Sequence, residues 1–213
     1  MSAAEPGRHC PLCPRLVAFR ESWREKEAGW FNAPVPGFGP KDARLLIVGL
    51  APGLRGANRT GRPFTGDGAG NLLYPTLLET GFAQGEFDAR PDDSLELLDC
   101  RITNAVRCVP PENKPVGAEI KACNQFLSKE FAGLAKLQVI VALGGIAHNA
   151  VLDALGVKRA SAKFAHNADY HLESGLRLVD SYHCSRLNTN TGRLTPAMFR
   201  DVFATVRESF RPA

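Results

Sequence analysis

The chain of 213 residues lacks any long hydrophobic run. No segment reaches the roughly 18 apolar residues that a membrane-spanning helix needs. Residues 1–6 also lack the basic start and the following apolar run that are typical of a signal peptide. These absences predict a soluble, cytoplasmic protein with no membrane partner.

Internal repeats and phosphate-gripping glycine motifs are also missing. Neither Gly-x-Gly-x-x-Gly nor a Walker-type Gly-Lys-Ser/Thr follows the first predicted strand, which argues against an enzyme of free nucleotides. The length and the 44% hydrophobic composition allow one sizeable core, so we expect a single domain over residues 1–213. The net charge of +4 is compatible with a polyanionic partner but does not demand one.

Six cysteines stand out in this composition. Structural disulfides are rare in the cytosol, so clustered cysteines there indicate metal or cluster binding. Cys10 and Cys13 form a Cys-x-x-Cys pair, and Cys108 and Cys123 follow much later in the chain. Thiolates ligate both iron–sulfur clusters and four-cysteine zinc sites, and the spacing alone does not decide between them. We expect neither of the other two cysteines to be a ligand.

Short aliphatic runs alternate with helical patterns along the chain. This alternation predicts an α/β fold, a three-layer α/β/α arrangement around a central, mostly parallel four-stranded sheet. The last helix is expected to begin with Thr195 as its N-cap and Pro196 in its first turn. The predicted strands cover residues 43–49, 99–104, 137–143 and 176–182, and the other predicted helices cover residues 16–27, 71–80, 119–134 and 146–155.

Unusual residues follow the predicted strands where these end. Right-handed crossovers place the carboxyl ends of parallel strands along one edge, where ligands bind in such folds. The turn 49–53, Asn104 and His183 follow three of the strands, and the long loop with Phe64 and Asp67 leaves from the same edge. Singly, each has a structural explanation: a tight turn, a backbone cap, a hydrogen-bonded histidine, a core aromatic or a helix cap. Together they predict a cleft for a flat, polar heterocycle.

Several arginines lie in loops rich in Gly, Asn and Thr rather than on periodic segments. Around a cleft, such side chains would hold phosphates. The alternative is that each is an ordinary solvated arginine. The residues are Arg55, Arg59, Arg62, Arg186 and Arg193.

Four motifs in this order resemble those of the iron–sulfur uracil-DNA glycosylases, and most closely those of family 5, the type-b enzymes. Family 4 carries a Glu in the first motif, where this chain has Leu50, and family 5 instead has an Asp that Asp67 matches. The resemblance covers nearly the whole chain. The motifs are Gly-Leu-Ala-Pro-Gly at 49–53, Gly-Arg-Pro-Phe-Thr-Gly-Asp at 61–67, Ile-Thr-Asn-Ala-Val-Arg-Cys at 102–108, and the segment 183–195 that begins His-Cys-Ser-Arg-Leu-Asn.

The resemblance implies a uracil-DNA glycosylase-like fold and an enzyme of base excision repair. Such an enzyme flips deaminated bases out of DNA, namely uracil, hypoxanthine and xanthine, and excises them. Its cofactor would be a [4Fe-4S] cluster, with structural zinc as the alternative, and the cluster would tie down residues 1–40. The implied ligands are Cys10, Cys13, Cys108 and Cys123. We expect a monomer that binds DNA.

Roles for the cleft residues follow from this chemistry. Phe64 would stack on the flipped base and Asn104 would hydrogen-bond it. His183 would stabilise the departing base anion, and Asp67 would stabilise the sugar cation or orient water. Backbone N–H groups of the first turn would assist, so Gly49, Ala51 and Gly53 are also predicted to bind substrate.

The loop after the fourth strand is the predicted wedge that fills the gap left by the flipped base. Arg186 and Leu187 are expected nearest the duplex, and Arg62 and Arg193 are expected to contact DNA as well. No lysine is an obvious Schiff-base nucleophile, which predicts a monofunctional enzyme. The alternative is a non-catalytic nucleic-acid-binding protein with a metal or a cluster, which would not need Asp67 and His183 together.

Overall fold

The computed structural model describes residues 5–210, and its centre is a five-stranded sheet. The strands of this sheet are β1 (Leu45–Gly49), β4 (Cys100–Asn104), β5 (Val139–Leu143), β6 (Asp169–His171) and β7 (Arg177–Ser181). Their order is β4-β1-β5-β7-β6, and only β6 runs antiparallel to its neighbour. A separate short hairpin joins β2 (Ala83–Gln84) and β3 (Glu96–Leu97).

Helices cover both faces of the sheet. They are α1 (Pro14–Lys26), α2 (Ala57–Thr60), α3 (Gly70–Glu79), α4 (Gly117–Gly133), α5 (Gly145–Ala154), α6 (Arg186–Asn190) and α7 (Pro196–Glu208). Short 3-10 turns occur at Pro111–Asn113 and Arg159–Ser161. None of the helices within residues 5–210 is long and apolar enough to cross a membrane.

Side-chain alternation along β1 divides the core into two layers. Leu45 and Ile47 lie in the core on the side of α3 and α7, whereas Leu46 and Val48 lie in the core on the side of α4 and α5. Successive side chains of a strand point to opposite faces, so a fully apolar strand must be covered on both. The predicted three-layer α/β/α architecture is therefore confirmed.

The four predicted strands and the five predicted helices are all present, with ends displaced by one or two residues. Thr195 caps α7 as predicted, because its Oγ1 accepts a hydrogen bond from the Met198 N–H at 3.2 Å. The single-domain organisation, the cytoplasmic location and the monomeric state stay predictions.

The sheet has five strands rather than the predicted four. The additional strand, β6, has no buried residue and no apolar alternation, so its sequence carries no strand pattern. It is held instead by pairing with β7 and by an ion pair in which Arg177 Nε donates to Asp169 Oδ1 at 2.7 Å. The helices α2 and α6 were likewise not predicted, and both lie within stretches expected to be irregular.

Candidate active site

A cavity of about 880 Å³ opens at the edge of the sheet where β1, β4, β5 and β7 end. Four predicted side chains, those of Phe64, Asp67, Asn104 and His183, all line it. Ala51 and Gly53 of the first turn line it too. The structure thus brings the predicted aromatic ring, carboxylate, amide and imidazole into one cleft.

Phe64 forms one wall of the cavity in a strained backbone conformation. Its φ is +53°, in the left-handed region that residues with a side chain rarely adopt. Such strain persists only where the surroundings enforce it, and it concentrates at functional sites. The ring centroid lies 6.0 Å from that of His183, with 31° between the planes. The two rings therefore form adjoining parts of the same wall.

Gly49 lets the side chains of Phe64 and Asn104 pack directly against the end of β1. It pairs directly with Asn104 in the β1–β4 ladder, so the strand register sets the two residues side by side. A Cβ at Gly49 would lie 2.6 Å from Phe64 Cζ and would overlap Asn104 Oδ1. No real side chain tolerates such contacts, so glycine is required for Phe64 and Asn104 to take up these positions.

The Asn104 side chain is buried and lines the cavity, at 3% exposure for the residue. Within residues 5–210 its amide has no hydrogen-bond partner, which does not favour the alternative of a backbone cap. This amide offers a donor and an acceptor to whatever enters the cavity.

His183 follows β7 and is neutral near pH 7. Burial lowers the pKa of its imidazole to about 4. A neutral imidazole carries one N–H donor and one acceptor nitrogen. The backbone is fixed as well, because the His183 carbonyl accepts a hydrogen bond from Asn188 Nδ2 of α6 at 2.8 Å. This hydrogen bond ties α6, which lies next to the cavity, to the backbone of His183.

Asp67 is held between the start of α3 and the first turn. Its Oδ1 accepts a hydrogen bond from the Ala69 N–H at 3.1 Å, while its Oδ2 lies beside Gly53, where a Cβ would stand 2.8 Å away. Burial raises the pKa of the carboxyl group, and the backbone N–H groups of Ala69 and Gly70 and the charge of Arg186 oppose the rise. Asp67 is not the N-cap of α3, which is Ala69, but its Oδ1 bond to the Ala69 N–H leaves Oδ2 for a role in the site.

Charged side chains and exposed apolar side chains surround the mouth of the cavity. Leu187 on α6 is 73% exposed, and Arg186 packs beside it over Gly68. On the opposite rim the turn with Glu112, Asn113 and Lys114 also lines the cavity, and the first two have left-handed backbones. Sequence reasoning missed this rim, whose only signal was the Pro-Pro-Glu-Asn-Lys-Pro run after Cys108.

The prediction that Arg62 contacts DNA is wrong. The side chain is buried at 6% exposure, and its two terminal nitrogens donate to Asp93 at 2.6 and 2.7 Å. Its Nε donates to Thr65 Oγ1 at 2.7 Å. Arg193 is exposed and lies 4.6 Å from the ring centre of Tyr182, outside the cavity lining, so its contact with DNA stays a prediction.

The four predicted ligand cysteines surround one small cleft beside α1. All are free thiols, and the remaining two, Cys100 and Cys184, are fully buried in the main core. Among residues 5–210, no group of three or more His, Cys, Asp or Glu side chains is arranged to hold a metal ion. The cofactor therefore stays a prediction. The cysteines that share the cleft are Cys10, Cys13, Cys108 and Cys123.

The surroundings of this cleft fit a negatively charged cluster. Arg20 is buried at 1% exposure; its Nη1 donates to Cys108 Sγ at 3.2 Å and its Nη2 to the Cys10 carbonyl at 3.1 Å. Its Nε has no partner, and no carboxylate pairs with it in the described part of the chain. A buried cation without a counter-charge is strongly unfavourable. Thiolates around a cluster would supply that charge.

The α/β/α sheet, with a ring, a carboxylate, an amide and an imidazole at its carboxyl edge, is the arrangement predicted above for a DNA glycosylase. The model of the family described as "Uracil DNA glycosylase superfamily" matches residues 36–207 of this chain. The chain belongs to this superfamily and, within it, to the type-5 uracil-DNA glycosylases. The family resemblance and the predicted class of enzyme are thereby confirmed.

Curated relatives support this membership. A type-5 uracil-DNA glycosylase of Thermus thermophilus is 47% identical over 202 residues, which cover 91% of this chain and 90% of the relative. One of Mycobacterium leprae is 42% identical over 211 residues, 93% of this chain and 90% of the relative. A type-4 uracil-DNA glycosylase of Pyrobaculum aerophilum is 37% identical over 150 residues, 70% of this chain and 62% of the relative.

Proposed function

We propose that the protein is a monofunctional DNA glycosylase that excises uracil, hypoxanthine and xanthine from DNA and leaves an abasic site for base excision repair. The observation that carries this proposal is the meeting of Phe64, Asp67, Asn104 and His183 in one cavity. The type-5 relatives are uracil-DNA glycosylases, which supports uracil as a target. Hypoxanthine and xanthine are what the family resemblance implies, and the abasic product is proposed because no lysine is an obvious Schiff-base nucleophile.

The target base must leave the helix before it reaches this cavity, at a cost of a few kcal/mol. Leu187 is suited to fill the gap, because it is exposed on a short helix at the mouth. Arg55, Lys114 and Arg186 line the same mouth, and their positive charges would hold the phosphates on either side of the flipped nucleotide.

The flipped base would lie in the cavity against Phe64 and Asn104, the two side chains that pack on Gly49. Stacking on the Phe64 ring contributes about 1–3 kcal/mol and does not depend on which base is present. The Asn104 amide would hydrogen-bond the edge of the base. Because it offers both a donor and an acceptor, it suits uracil, hypoxanthine and xanthine, which all carry a carbonyl beside an N–H group.

Cleavage breaks the bond between C1′ of the sugar and the base nitrogen, and the electron pair leaves with the base. Neutral His183 would donate its N–H to the carbonyl oxygen on which the negative charge develops. Asp67, as a carboxylate, would stabilise the positive charge on the sugar and orient a water molecule. The water oxygen bonds to C1′, its proton passes through Asp67 to solvent, and the base anion takes up a proton.

Asp67 is the suitable carboxylate at this position. Glu112 also lines the cavity, but its side chain is 81% exposed at the rim beside Lys114. Leu50, which lines the cavity as well, has no group that binds water. Asp67 therefore carries the proposed role alone among the described lining residues.

We propose a [4Fe-4S] cluster on Cys10, Cys13, Cys108 and Cys123, with structural zinc as the alternative. When bound, the group supplies metal–thiolate links between distant segments and a negative charge beside Arg20. Hydrogen bonds from Arg20 to Cys108 Sγ and from the Arg107 N–H to Cys123 Sγ, the latter at 3.3 Å, would orient the ligands. Anaerobic purification should give a brown protein with broad visible absorption; a colourless protein with stoichiometric zinc would favour the alternative.

The test of the function is an excision assay. An oligonucleotide with one uracil is incubated with the protein and then cleaved with alkali, and the same is done with hypoxanthine and xanthine. Strand breaks after alkali, and none before it, support a monofunctional enzyme. Absence of breaks with all three bases would overturn the proposal in favour of a non-catalytic binding protein. A covalent adduct trapped by borohydride, for which Lys114 at the rim is the lysine to test, would overturn the monofunctional mechanism.

A further inference from the structure

A second groove, of about 540 Å³, lies on the other side of α2 from the cavity. We propose that this groove binds an unpaired DNA strand that flanks the target nucleotide, an inference that rests on the proposed function. Its lining includes the cations Arg8, Arg59 and Arg90, the rings of Trp30 and Phe31, and the carboxylate of Asp92. We call it the arginine groove.

The charge of the arginine groove suits phosphates. Three arginines face a single carboxylate among its lining residues. That carboxylate, Asp92, lies 3.6 Å from Arg90, and the two side chains are 76% and 63% exposed. Exposed pairs of this kind contribute little. Arg90 is therefore free to exchange Asp92 for a phosphate at small cost.

The aromatic wall of the groove is fixed to α2. The Phe31 N–H donates to the Arg59 carbonyl and the Asn32 N–H to the Asn58 carbonyl, both at 3.0 Å. The Trp30 ring stacks on Trp23 at 5.4 Å with 3° between the planes. A ring that is already held loses little freedom when a base stacks on it.

The opposite wall is fixed by the buried ion pair of Arg62 and Asp93. Asp93 also accepts hydrogen bonds from the N–H groups of Asp88 at 3.0 Å and Leu95 at 3.2 Å. The Arg62 guanidinium lowers the pKa of Asp93 to about 2, so the pair stays charged at all physiological pH values. The turn that carries Arg90 is thus rigid. Arg62 acts on DNA, in this proposal, only by holding that turn.

The helix α2 connects the groove with the cavity. Gly56 and Ala57 line the cavity, whereas Arg59 and Thr60 line the groove. Four helical residues span only about 6 Å. Arg59 Nη2 lies 3.0 Å from the position of a Cβ on Gly66, which precedes Asp67 in the chain. A strand that delivers its base to Asp67 therefore reaches the groove with its neighbouring nucleotides.

The combination of basic groove and aromatic rings favours an unpaired strand over a duplex. Arginines follow the phosphates, and exposed bases stack on rings, whereas the bases of a duplex are stacked on one another. An acidic peptide would use the arginines but gain nothing from two aromatic rings. The proposal therefore commits to single-stranded DNA next to the lesion.

Tryptophan fluorescence reports directly on this site, because the only two tryptophans of the chain are the stacked pair Trp23 and Trp30. The full-length protein is titrated with an undamaged single-stranded oligonucleotide, with the duplex of the same sequence, and with heparin. We expect quenching by the single strand at low salt and weaker quenching by the duplex. Equal quenching by all three would indicate a general polyanion surface and overturn the proposal.

A charge-reversal variant provides a second test of the arginine groove. Arg90→Glu should weaken single-strand binding about tenfold and lower the slope of log affinity against log salt by about one or two. Arg200→Glu is the matched control, because Arg200 is an exposed arginine of α7 outside both sites, paired with Glu79 at 3.4 Å. If Arg90→Glu and Arg200→Glu bind alike, the groove is not a DNA site.

Excision by the wild-type protein distinguishes the proposed glycosylase function from the proposed DNA-binding role of the arginine groove. Uracil is placed near the 5′ end or near the 3′ end of a single strand, and kcat and KM are measured. The groove predicts that removing the flank on one side raises KM, and that Arg90→Glu raises KM only when that flank is present. No uracil release from any substrate refutes the function; release that ignores the flank refutes only the groove.

Discussion

The cavity and the arginine groove are separated by one short helix, yet they differ in construction. Among residues 5–210, the cavity holds polar side chains without a hydrogen-bond partner, such as the Asn104 amide and the His183 imidazole. The groove holds exposed cations, such as Arg59 and Arg90. Unpaired groups in a dry site act on developing charge, whereas exposed cations act on phosphates. Substitutions in the cavity should therefore alter kcat, whereas substitutions in the groove should alter KM.

The largest effect is expected from Asp67→Ala. Loss of the carboxylate should lower kcat by about 10²–10⁴-fold, the usual range for a group that acts on the transition state, with DNA affinity nearly unchanged. Single-turnover excision and a separate binding titration measure the two quantities. Glu112→Gln, which removes the other carboxylate of the lining, is the control and should be close to wild type. Near-normal turnover of Asp67→Ala would remove this residue from the mechanism.

We expect kcat to fall at acid pH because Asp67 becomes protonated. Burial raises the pKa of this carboxyl group, and the mechanism needs the carboxylate, so activity falls as the pH drops through the raised pKa. His183 has a pKa of about 4, so its own protonation would contribute only at the acid end of the profile. Below the pKa of Asp67, kcat should fall about tenfold per pH unit. Persistence of the same acid limb in Asp67→Asn would assign it to another group.

Gly49→Ala should lower kcat/KM by about tenfold to a hundredfold. The added methyl group overlaps Asn104 Oδ1 and the Phe64 ring, and strain of this kind costs about 1–3 kcal/mol. Thermal unfolding shows whether the fold or only the site is affected. Gly117→Ala, whose Cβ meets no atom within 4 Å, is the control. Full activity with a methyl group at position 49 would mean that excision does not depend on the positions of Phe64 and Asn104 that Gly49 allows.

Leu187→Ala should have the smallest effect, and one that depends on the substrate. A wedge is needed only where a base is pulled from a duplex, so we expect about tenfold slower excision from double-stranded DNA and little change on a single strand. Leu98→Ala, at another exposed leucine, is the control. Equal losses on both substrates would argue for a packing role of Leu187 instead.

The cavity was predictable from the sequence because strand ends converge. Asn104 and His183 follow buried strands, and the parallel topology places both at the same edge. The motif at 61–67 then adds Phe64 and Asp67 to the predicted cavity residues. Which oxygen of Asp67 remains for chemistry, and why Gly49 must be glycine, are visible only from the packing.

The groove was not predictable, because its residues come from four separate segments without a shared pattern. The burial of Arg62 was not predictable either, because it depends on a contact between distant parts of the chain. Its loop is rich in glycine and threonine, which suggested exposure, but Asp93, 31 positions away, binds it in the interior. Strand β6 was missed because an edge strand with polar side chains carries no periodic signal.

The most direct test of the central claim is a crystal structure of the Asp67→Asn variant with single-stranded DNA that contains one uracil. The account predicts a flipped uracil ring against Phe64, with its edge on the Asn104 amide and a carbonyl oxygen next to His183. A uracil that binds outside this cavity, or a cavity still empty beside well-ordered DNA, would contradict it.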